Sequence, residues 1–195
     1  MATLPVLKTT KMTPCPALPL IVQARCASSR YAQKVLRLFA YDHSFLEFQL
    51  IRLKKAFPSS PIVVATTTSP SDQAIEDIAL RNKVACFRGS EQDVLQRFLN
   101  CCTHFHFTAY IVRICSDNPF LQMELLRRLI KEASNQEQGI DYISYSIDHR
   151  PAILTHFGFF CDNNPDGGPL FQLHITATPK ARGTFNILGI QPFNA

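Results

Sequence analysis

The stretch LPLIVQARCASSRYAQKVL, residues 18–36, joins an apolar run to a cationic segment. The apolar part, residues 18–24, is typical of a buried strand. Beyond it the chain places three cations and two hydroxyls with no acidic residue among them: Arg25, Ser28, Ser29, Arg30 and Lys34. This segment is either a solvated surface loop or a site for a group with several negative charges, because arginine and lysine side chains both pair with phosphate oxygens.

The rest of the chain alternates between strand-like and helix-like patterns. Further strands are predicted at residues 61–68, 83–89, 109–115 and 141–147, and helices at 44–57, 69–82, 90–102 and 122–134. Helical spacing assigns Ile51 to the buried face of the first helix and Leu95 to that of the third. The alternation predicts an α/β, Rossmann-like fold with a mostly parallel sheet and helices on both faces.

The residue that follows the predicted fourth strand is a candidate metal ligand. In open parallel sheets, ligands bind beyond the carboxyl ends of the strands. Asp117 lies at such an end, in the sequence VRICSDNPF. One carboxylate there can hold Mg²⁺, which takes one or two carboxylates together with substrate phosphates. The alternative is an aspartate that only caps a helix or forms a turn.

Polar residues also occur at the ends of the second and third predicted strands. They are Thr66 and, in FRGSEQDVLQRF, Arg88, Gly89 and Ser90. A base or a ribose can be bound by the Gly89 backbone and the Ser90 hydroxyl. Helix capping is the alternative, since Ser90 with Asp93 three residues later resembles the start of a helix at residue 90.

Composition limits the classes of function. The chain has 195 residues, 46% of them hydrophobic and 18% charged, which is typical of a globular protein. Its net charge of +5 is too small to argue for nucleic-acid binding. Seven cysteines, an odd number, indicate a reducing compartment, and no apolar stretch is long enough to predict a membrane span. Because no glycine-rich phosphate motif follows the first strand, a P-loop NTPase and a Rossmann dehydrogenase are disfavoured.

Four blocks of the sequence, in this order, resemble a known family. They are IVQARCASSRYAQKVL, IVVATTTSPSDQAIEDIA, FRGSEQDVLQRF and VRICSDNPF. They are similar to the cytidylyltransferases of the spore-coat polysaccharide biosynthesis type, relatives of the acylneuraminate and Kdo cytidylyltransferases. The resemblance implies a nucleotide-diphospho-sugar transferase fold of the GT-A-like type. It also implies a homodimeric enzyme that transfers CMP from CTP to a sugar hydroxyl, with Mg²⁺ and release of pyrophosphate, in surface polysaccharide synthesis. The cytoplasmic location is expected separately, from the cysteines and the lack of a membrane span.

The resemblance also implies roles for individual residues. The triphosphate is expected to contact the cationic segment: Arg25, Ser28, Ser29, Arg30 and Lys34. The nucleoside is expected near Thr66, Arg88, Gly89 and Ser90. Arg25, Lys34 and Asp117 are the expected catalytic residues. The metal is expected on Asp117, with Asp162 as a second carboxylate.

The chain departs from the family pattern in two places. Family members carry a Leu-Pro-Gly-Lys-like stretch where this chain has Tyr31, Ala32, Gln33 and Lys34. A late family block has Glu where this chain has Leu173. We therefore divide the chain into an N-terminal extension (1–17), a nucleotide-binding domain (18–160) and a shortened or degenerate C-terminal segment (161–195).

Two alternative functions follow. One is a non-catalytic remnant of the family that binds nucleotide but has an eroded sugar site. The other is a nucleotidyltransferase for GTP or UTP, because nothing apart from the resemblance specifies the base.

Overall fold

The computed structural model describes residues 17–27, 33–108, 110–118 and 120–135, and the backbone of three further strands at 142–145, 173–176 and 187–190. The strands are Leu20–Gln23 (β1), Leu38–Ala40 (β2), His43–Ser44 (β3), Ile62–Thr67 (β4), Ala85–Gly89 (β5), Ile111–Cys115 (β6), Tyr142–Tyr145 (β7), Leu173–Thr176 (β8) and Ile187–Ile190 (β9). The α-helices are Phe45–Ala56 (α1), Gln73–Arg81 (α2), Val94–His104 (α3) and Met123–Asn135 (α4). Short 3₁₀ helices span Lys34–Leu36 and Pro70–Asp72.

Seven strands form one mixed sheet in the order β5-β4-β1-β6-β8-β7-β9. β1 pairs in parallel with β4 and β6, and β4 pairs in parallel with β5. β8 is antiparallel to both β6 and β7, while β9 is parallel to β7. The chain therefore builds outward from β1 through β4 to β5, and then returns to the other side of β1 with β6. This reversal is a topological switch point, where open α/β sheets bind ligands.

Two hydrophobic clusters cover the two faces of the sheet. Alternate residues of β1 point to opposite faces, so Leu20 and Val22 belong to one cluster and Ile21 to the other. The larger cluster contains the buried faces of α1, α2 and α4. The smaller one contains Phe98, Cys101 and Cys102 of α3. Helices on both faces of a largely parallel sheet confirm the predicted fold class.

Some predictions about the helices and the C-terminal part are wrong in detail. The side chain of Ile51 is 37% exposed and that of Leu95 is 44% exposed, although helical spacing assigned both to the core. Helix α3 begins at Val94 and not at residue 90, because the Asp93 carboxylate accepts the Gln96 N–H at 2.9 Å. Strands β8 and β9 lie in the segment 161–195, where no strand was predicted. None of the described helices is both long enough and apolar enough to cross a membrane.

Candidate functional site

The end of β1 and the end of β6 meet at the switch point. The parallel pairing continues past the strands, since the Ser116 N–H donates to the Gln23 carbonyl at 3.0 Å. Beyond that bond, the Lys34 ammonium pairs with the Asp117 carboxylate. The two side chains are 35% and 25% exposed, so the pair lies at the surface and not in the core. The structure thus brings together Lys34, at the end of the cationic segment, and the candidate metal ligand.

The loop between β1 and Lys34 is closed at its base. The Gln33 N–H donates to the Cys26 carbonyl at 3.0 Å, which returns the chain to the end of β1. Gln33 has φ 56°, in the left-handed region that favours glycine. The resemblance described above implies a glycine at this position. The 3₁₀ helix that follows is anchored by the buried side chain of Val35.

Asp72 fastens the same loop to the end of β4, a role that sequence reasoning missed. Its Oδ1 accepts the Cys26 N–H at 2.7 Å. Its Oδ2 accepts the Thr66 hydroxyl at 3.0 Å, and the Thr67 amide and hydroxyl at 3.1 and 2.5 Å. Although Asp72 directly precedes α2, its side chain caps no helix N–H. A buried acid within a polar Thr-Thr-x-x-x-x-Asp spacing is too weak a signal to be found from one sequence.

The hydrogen bonds of Asp72 stabilise its ionised form. Burial by itself raises the pKa of this carboxyl. The Thr67 hydroxyl, the Cys26 amide, the Thr66 hydroxyl and the Thr67 amide act in the other direction and lower the pKa below its ordinary value of 3.8. The loop therefore rests on a buried carboxylate that is charged at neutral pH. Thr66 is itself completely buried, so in this conformation it supports the loop through Asp72, and its contact with a nucleoside stays a prediction.

Arg88 is held by the loop after β4. Its Nε donates to the Thr67 carbonyl at 3.1 Å and its Nη2 to the Ser69 carbonyl at 2.8 Å. Its Nη1 donates to Gln73 Oε1 at 2.7 Å and lies 3.0 Å from Glu76 Oε2. The structure thus places Arg88 at the carboxyl end of β5, as expected, where it clamps the start of α2. Its proposed contact with a nucleoside stays a prediction.

Gly89 and Ser90 continue from β5 toward α3. The Ser90 hydroxyl accepts the Asp93 N–H at 3.0 Å, so it organises the turn before α3 and leaves the cap of the helix to Asp93. A Cβ on Gly89 would lie 2.9 Å from Arg97 Cγ and 2.9 Å from Phe87 Cε1. Glycine is required here because the Arg97 side chain passes directly over the backbone.

A group of arginines lies on the α3 side of the sheet at these strand ends. Arg97 is completely buried, and its Nη1 donates to the Ser90 carbonyl at 2.8 Å. Arg113 donates through Nε and Nη2 to Gln23 Oε1 at 3.1 and 2.8 Å. Burial, and then the nearby charge of Arg25, lower the pKa of Arg97. Sequence reasoning missed Arg97, because the apolar residues around it account for a buried helix face and a charged residue is not expected to be buried with them.

Helix α1 holds the turn that carries Asp117. Gln49 is completely buried, and its Nε2 donates to the carbonyls of Cys115 and Asn118 at 3.0 and 3.3 Å. These bonds fix the backbone on both sides of Asp117. Asn118 Oδ1 is buried and has no hydrogen-bond partner among the described residues. The signal for Gln49 was present in the sequence: a polar residue within the stripe formed by Leu46, Leu50 and Leu53.

The remaining predicted site residues lie outside the described residues. They are Ser28, Ser29, Arg30 and Asp162. Within the described part of the chain, no cluster of three or more His, Cys, Asp or Glu side chains could hold a metal ion. The thiol of Cys26, next to the site, is not activated as a nucleophile, since burial and then its hydrogen bond with Asp72 raise its pKa to about 11.

The sequence model of the cytidylyltransferase family matches residues 20–171. The chain belongs to the cytidylyltransferase family. An uncharacterized protein of Methanocaldococcus jannaschii is 41% identical over 124 residues, which are 64% of this chain and 49% of that protein. The spore coat polysaccharide biosynthesis protein SpsF of Bacillus subtilis is 33% identical over 126 residues, 63% of this chain and 51% of SpsF.

Solved structures agree with this family assignment. A cytidylyltransferase from Leptospira borgpetersenii superposes with a TM-score of 0.62 at 30% identity, covering 66% of this chain and 53% of that one. A CMP:2-keto-3-deoxy-manno-octonic acid synthetase complexed with CTP shares the fold, with a TM-score of 0.56 at 14% identity over 67% of this chain and 52% of that one. The resemblance to the cytidylyltransferases is thereby confirmed, and the Kdo-related synthetase shares the fold. The chain spans about half the length of the curated relatives that it matches.

Proposed function

We propose that this protein is a cytoplasmic nucleotidyltransferase that transfers CMP from CTP to a sugar hydroxyl in surface polysaccharide biosynthesis. The observation that carries the proposal is the meeting of Lys34 and Asp117 at the switch point between β1 and β6. Membership of the cytidylyltransferase family supports the CMP transfer. The similarity to SpsF suggests the polysaccharide role. The five described cysteines are all free, which is consistent with a reducing compartment.

In this proposal the triphosphate lies over the end of β1. Arg25 and Lys34 bind its oxygens, together with Ser28, Ser29 and Arg30 of the same loop. A sugar oxygen forms a bond to the α-phosphorus while the bond from that phosphorus to the bridging oxygen breaks. Pyrophosphate leaves, and the hydroxyl proton passes to solvent. The charge that develops on the phosphate oxygens is stabilised by fixed cations, which is the main requirement for catalysis of phosphoryl transfer.

The residues after β6 fit a magnesium site of the kind that substrate phosphates complete. Asp117 offers a partly exposed carboxylate, and the adjacent Asn118 has a buried oxygen without a partner among the described residues. Mg²⁺ in such sites takes one or two carboxylates plus phosphate oxygens, so a cluster of three acidic ligands is not needed. When bound, Mg²⁺ supplies neutralisation of the phosphate charge. Asp117 would hold it, with Asp162 as the proposed second carboxylate, and Lys34 would then turn from Asp117 to a phosphate oxygen.

The direct test is pyrophosphate release from CTP with Mg²⁺ across a panel of sugars. We expect pyrophosphate release with at least one sugar. In Asp117→Asn we expect the rate of release to fall about a hundredfold or more, because Asp117 would hold the Mg²⁺ that stabilises the charge of the transition state. Asp42→Asn is the matched control. It makes the same change of charge in an exposed turn with φ 61°, which asparagine tolerates. Equal activity in Asp117→Asn and Asp42→Asn would contradict the role of Asp117.

The similarity to cytidylyltransferases does not favour the alternative of a non-catalytic remnant. That alternative nevertheless gives a different result in a second assay. A remnant would be stabilised against heat by CTP and Mg²⁺, since any ligand of the folded state raises stability. It would release no pyrophosphate with any sugar.

A further inference from the structure

Arg97 has two hydrogen-bond donors that the described residues do not use. The guanidinium is 0% exposed, and only its Nη1 donates, to the Ser90 carbonyl. Nε and Nη2 are buried and have no partner within the described ranges. These two nitrogens form one edge of the planar group, so they present two parallel donors to one ligand.

A purely structural role accounts poorly for this arrangement. A buried donor without a partner destabilises the fold, because it loses its hydrogen bonds to water and gains none in the protein. The neighbouring guanidinium of Arg113 shows the usual solution, since its Nε and Nη2 both donate to Gln23 Oε1. The charges of Arg25 and Arg113 lower the pKa of Arg97, and those of Asp72 and Glu91 raise it, so the charge of Arg97 is only partly balanced and burial still lowers its pKa. A buried polar group without a partner calls for an explanation, and a ligand-binding role supplies one for Arg97.

The position of Arg97 indicates which part of a nucleotide would reach it. Its side chain bonds to Ser90 and packs over Gly89, at the end of β5. Asp117 lies at the end of β6, three strands away in the sheet order. Strand spacings of about 4.8 Å put these two strand ends about 14 Å apart. A nucleotide with its triphosphate at the β1–β6 end would therefore have its base at the β5 end.

We propose that the Nε–Nη2 edge of Arg97 binds the base of the nucleotide and selects cytosine over uracil. This inference rests on the proposed function and adds to it the residue that determines the base. Cytosine presents two acceptors side by side, O2 and N3. Uracil presents O2 beside an N3–H donor, which would meet a guanidinium donor. Because Arg97 is completely buried without a ligand, this contact requires neighbouring residues to move when the nucleotide binds.

The test is titration calorimetry of the full chain with CTP and with UTP, both with Mg²⁺. We expect the wild type to bind CTP more tightly, and the ratio of the two dissociation constants to fall about ten- to a hundredfold in Arg97→Lys and Arg97→Met. Arg97→Lys retains the charge but loses the planar edge. Arg97→Met removes the buried charge, so its melting temperature is expected to be unchanged or higher, whereas a structural role predicts a lower one.

Arg113→Met is the control, because it removes an arginine on the same face whose Nε and Nη2 already have partners. We expect it to leave the ratio of CTP to UTP affinity unchanged. A wild-type ratio near one, or an unchanged ratio in a folded Arg97 variant, would overturn the inference alone. Failure of the wild type to bind either nucleotide would overturn the proposed function as well.

Discussion

At the scale of single residues, Asp72 determines where the loop after β1 lies. It joins three segments that are distant in sequence or belong to different elements: the Cys26 amide, the end of β4 and the start of α2. Its carboxylate accepts four hydrogen bonds, which is close to the capacity of its two oxygens. An amide side chain cannot replace it, because one of its two polar atoms would be a donor facing donors.

We expect Asp72→Asn to lower the free energy of unfolding by roughly 1–3 kcal/mol at neutral pH. The pKa of Asp72 is lower in the folded protein than its ordinary value of 3.8. Its contribution to stability is therefore fully present above about pH 4 and is lost as the pH falls through the lower, folded-state pKa. Urea denaturation measured at a series of pH values should show a smaller loss of stability in acid for the variant than for the wild type.

Asp77→Asn is the control for that experiment. Asp77 is exposed on α2, five residues after Asp72, so its replacement should leave both the stability and its acid dependence close to those of the wild type. If Asp72→Asn had the same stability and the same acid dependence as Asp77→Asn, the four hydrogen bonds would not hold the loop.

A second prediction at this scale concerns Gln33, which has φ 56°. A left-handed conformation costs a residue other than glycine about 1–2 kcal/mol. Gln33→Gly relieves this cost but increases the freedom of the unfolded chain, so we expect an unfolding free energy that is unchanged or up to about 1 kcal/mol higher. Gln96→Gly, in the exposed part of α3, should instead lower it by about 1 kcal/mol. Equal destabilisation by both changes would contradict the strained conformation of Gln33.

At the scale of elements, periodicity located the helices and strands but not all of their buried faces. The buried positions Leu46, Leu50 and Leu53 of α1 follow the spacing of the sequence. Leu95 of α3 does not follow that spacing. The orientation of α3 that packs Phe98, Cys101 and Cys102 against the sheet also buries Arg97 and leaves Leu95 exposed. A hydrophobicity pattern cannot predict a buried arginine, since its stability depends on the Ser90 carbonyl and on neighbouring charges.

The contact between α1 and the turn after β6 gives a prediction at this scale. Gln49→Leu keeps the approximate volume but removes the donors to the carbonyls of Cys115 and Asn118. We expect the free energy of unfolding to fall by about 1–3 kcal/mol, because buried carbonyls lose partners. We also expect weaker binding of CTP with Mg²⁺ in calorimetry, because the turn positions Asp117. The control Gln96→Leu, at an exposed position, should change neither the free energy of unfolding nor the affinity for CTP. Wild-type affinity in Gln49→Leu would show that α1 does not position the turn.

At the scale of the whole molecule, strand order turns a linear pattern into a site. The sequence predicted five alternating strands and the importance of their carboxyl ends. It contained no signal for the order β5-β4-β1-β6, and this order makes the ends of β1 and β6 adjacent. The insertion of β8 between β6 and β7 was also beyond prediction, since its antiparallel pairing depends on distant partners and not on local pattern.

The adjacency of β1 and β6 explains why residues 83 positions apart, Lys34 and Asp117, form one ion pair. Each of these side chains neutralises the other in the structure described here. A nucleotide carrying a divalent cation can separate them without leaving either charge unpaired, because the cation faces Asp117 and a phosphate faces Lys34. We therefore expect CTP and Mg²⁺ to bind together more tightly than either binds alone.

The most direct test of this account is the affinity for CTP in the presence of Mg²⁺, measured by titration calorimetry on four chains. These are the wild type, Lys34→Gln, Asp117→Asn and the control Asp42→Asn. The account predicts that Lys34→Gln and Asp117→Asn each weaken binding tenfold or more, about 1.4 kcal/mol, and that Asp42→Asn binds as the wild type does. Wild-type affinity in both Lys34→Gln and Asp117→Asn would contradict a shared nucleotide and metal site between β1 and β6.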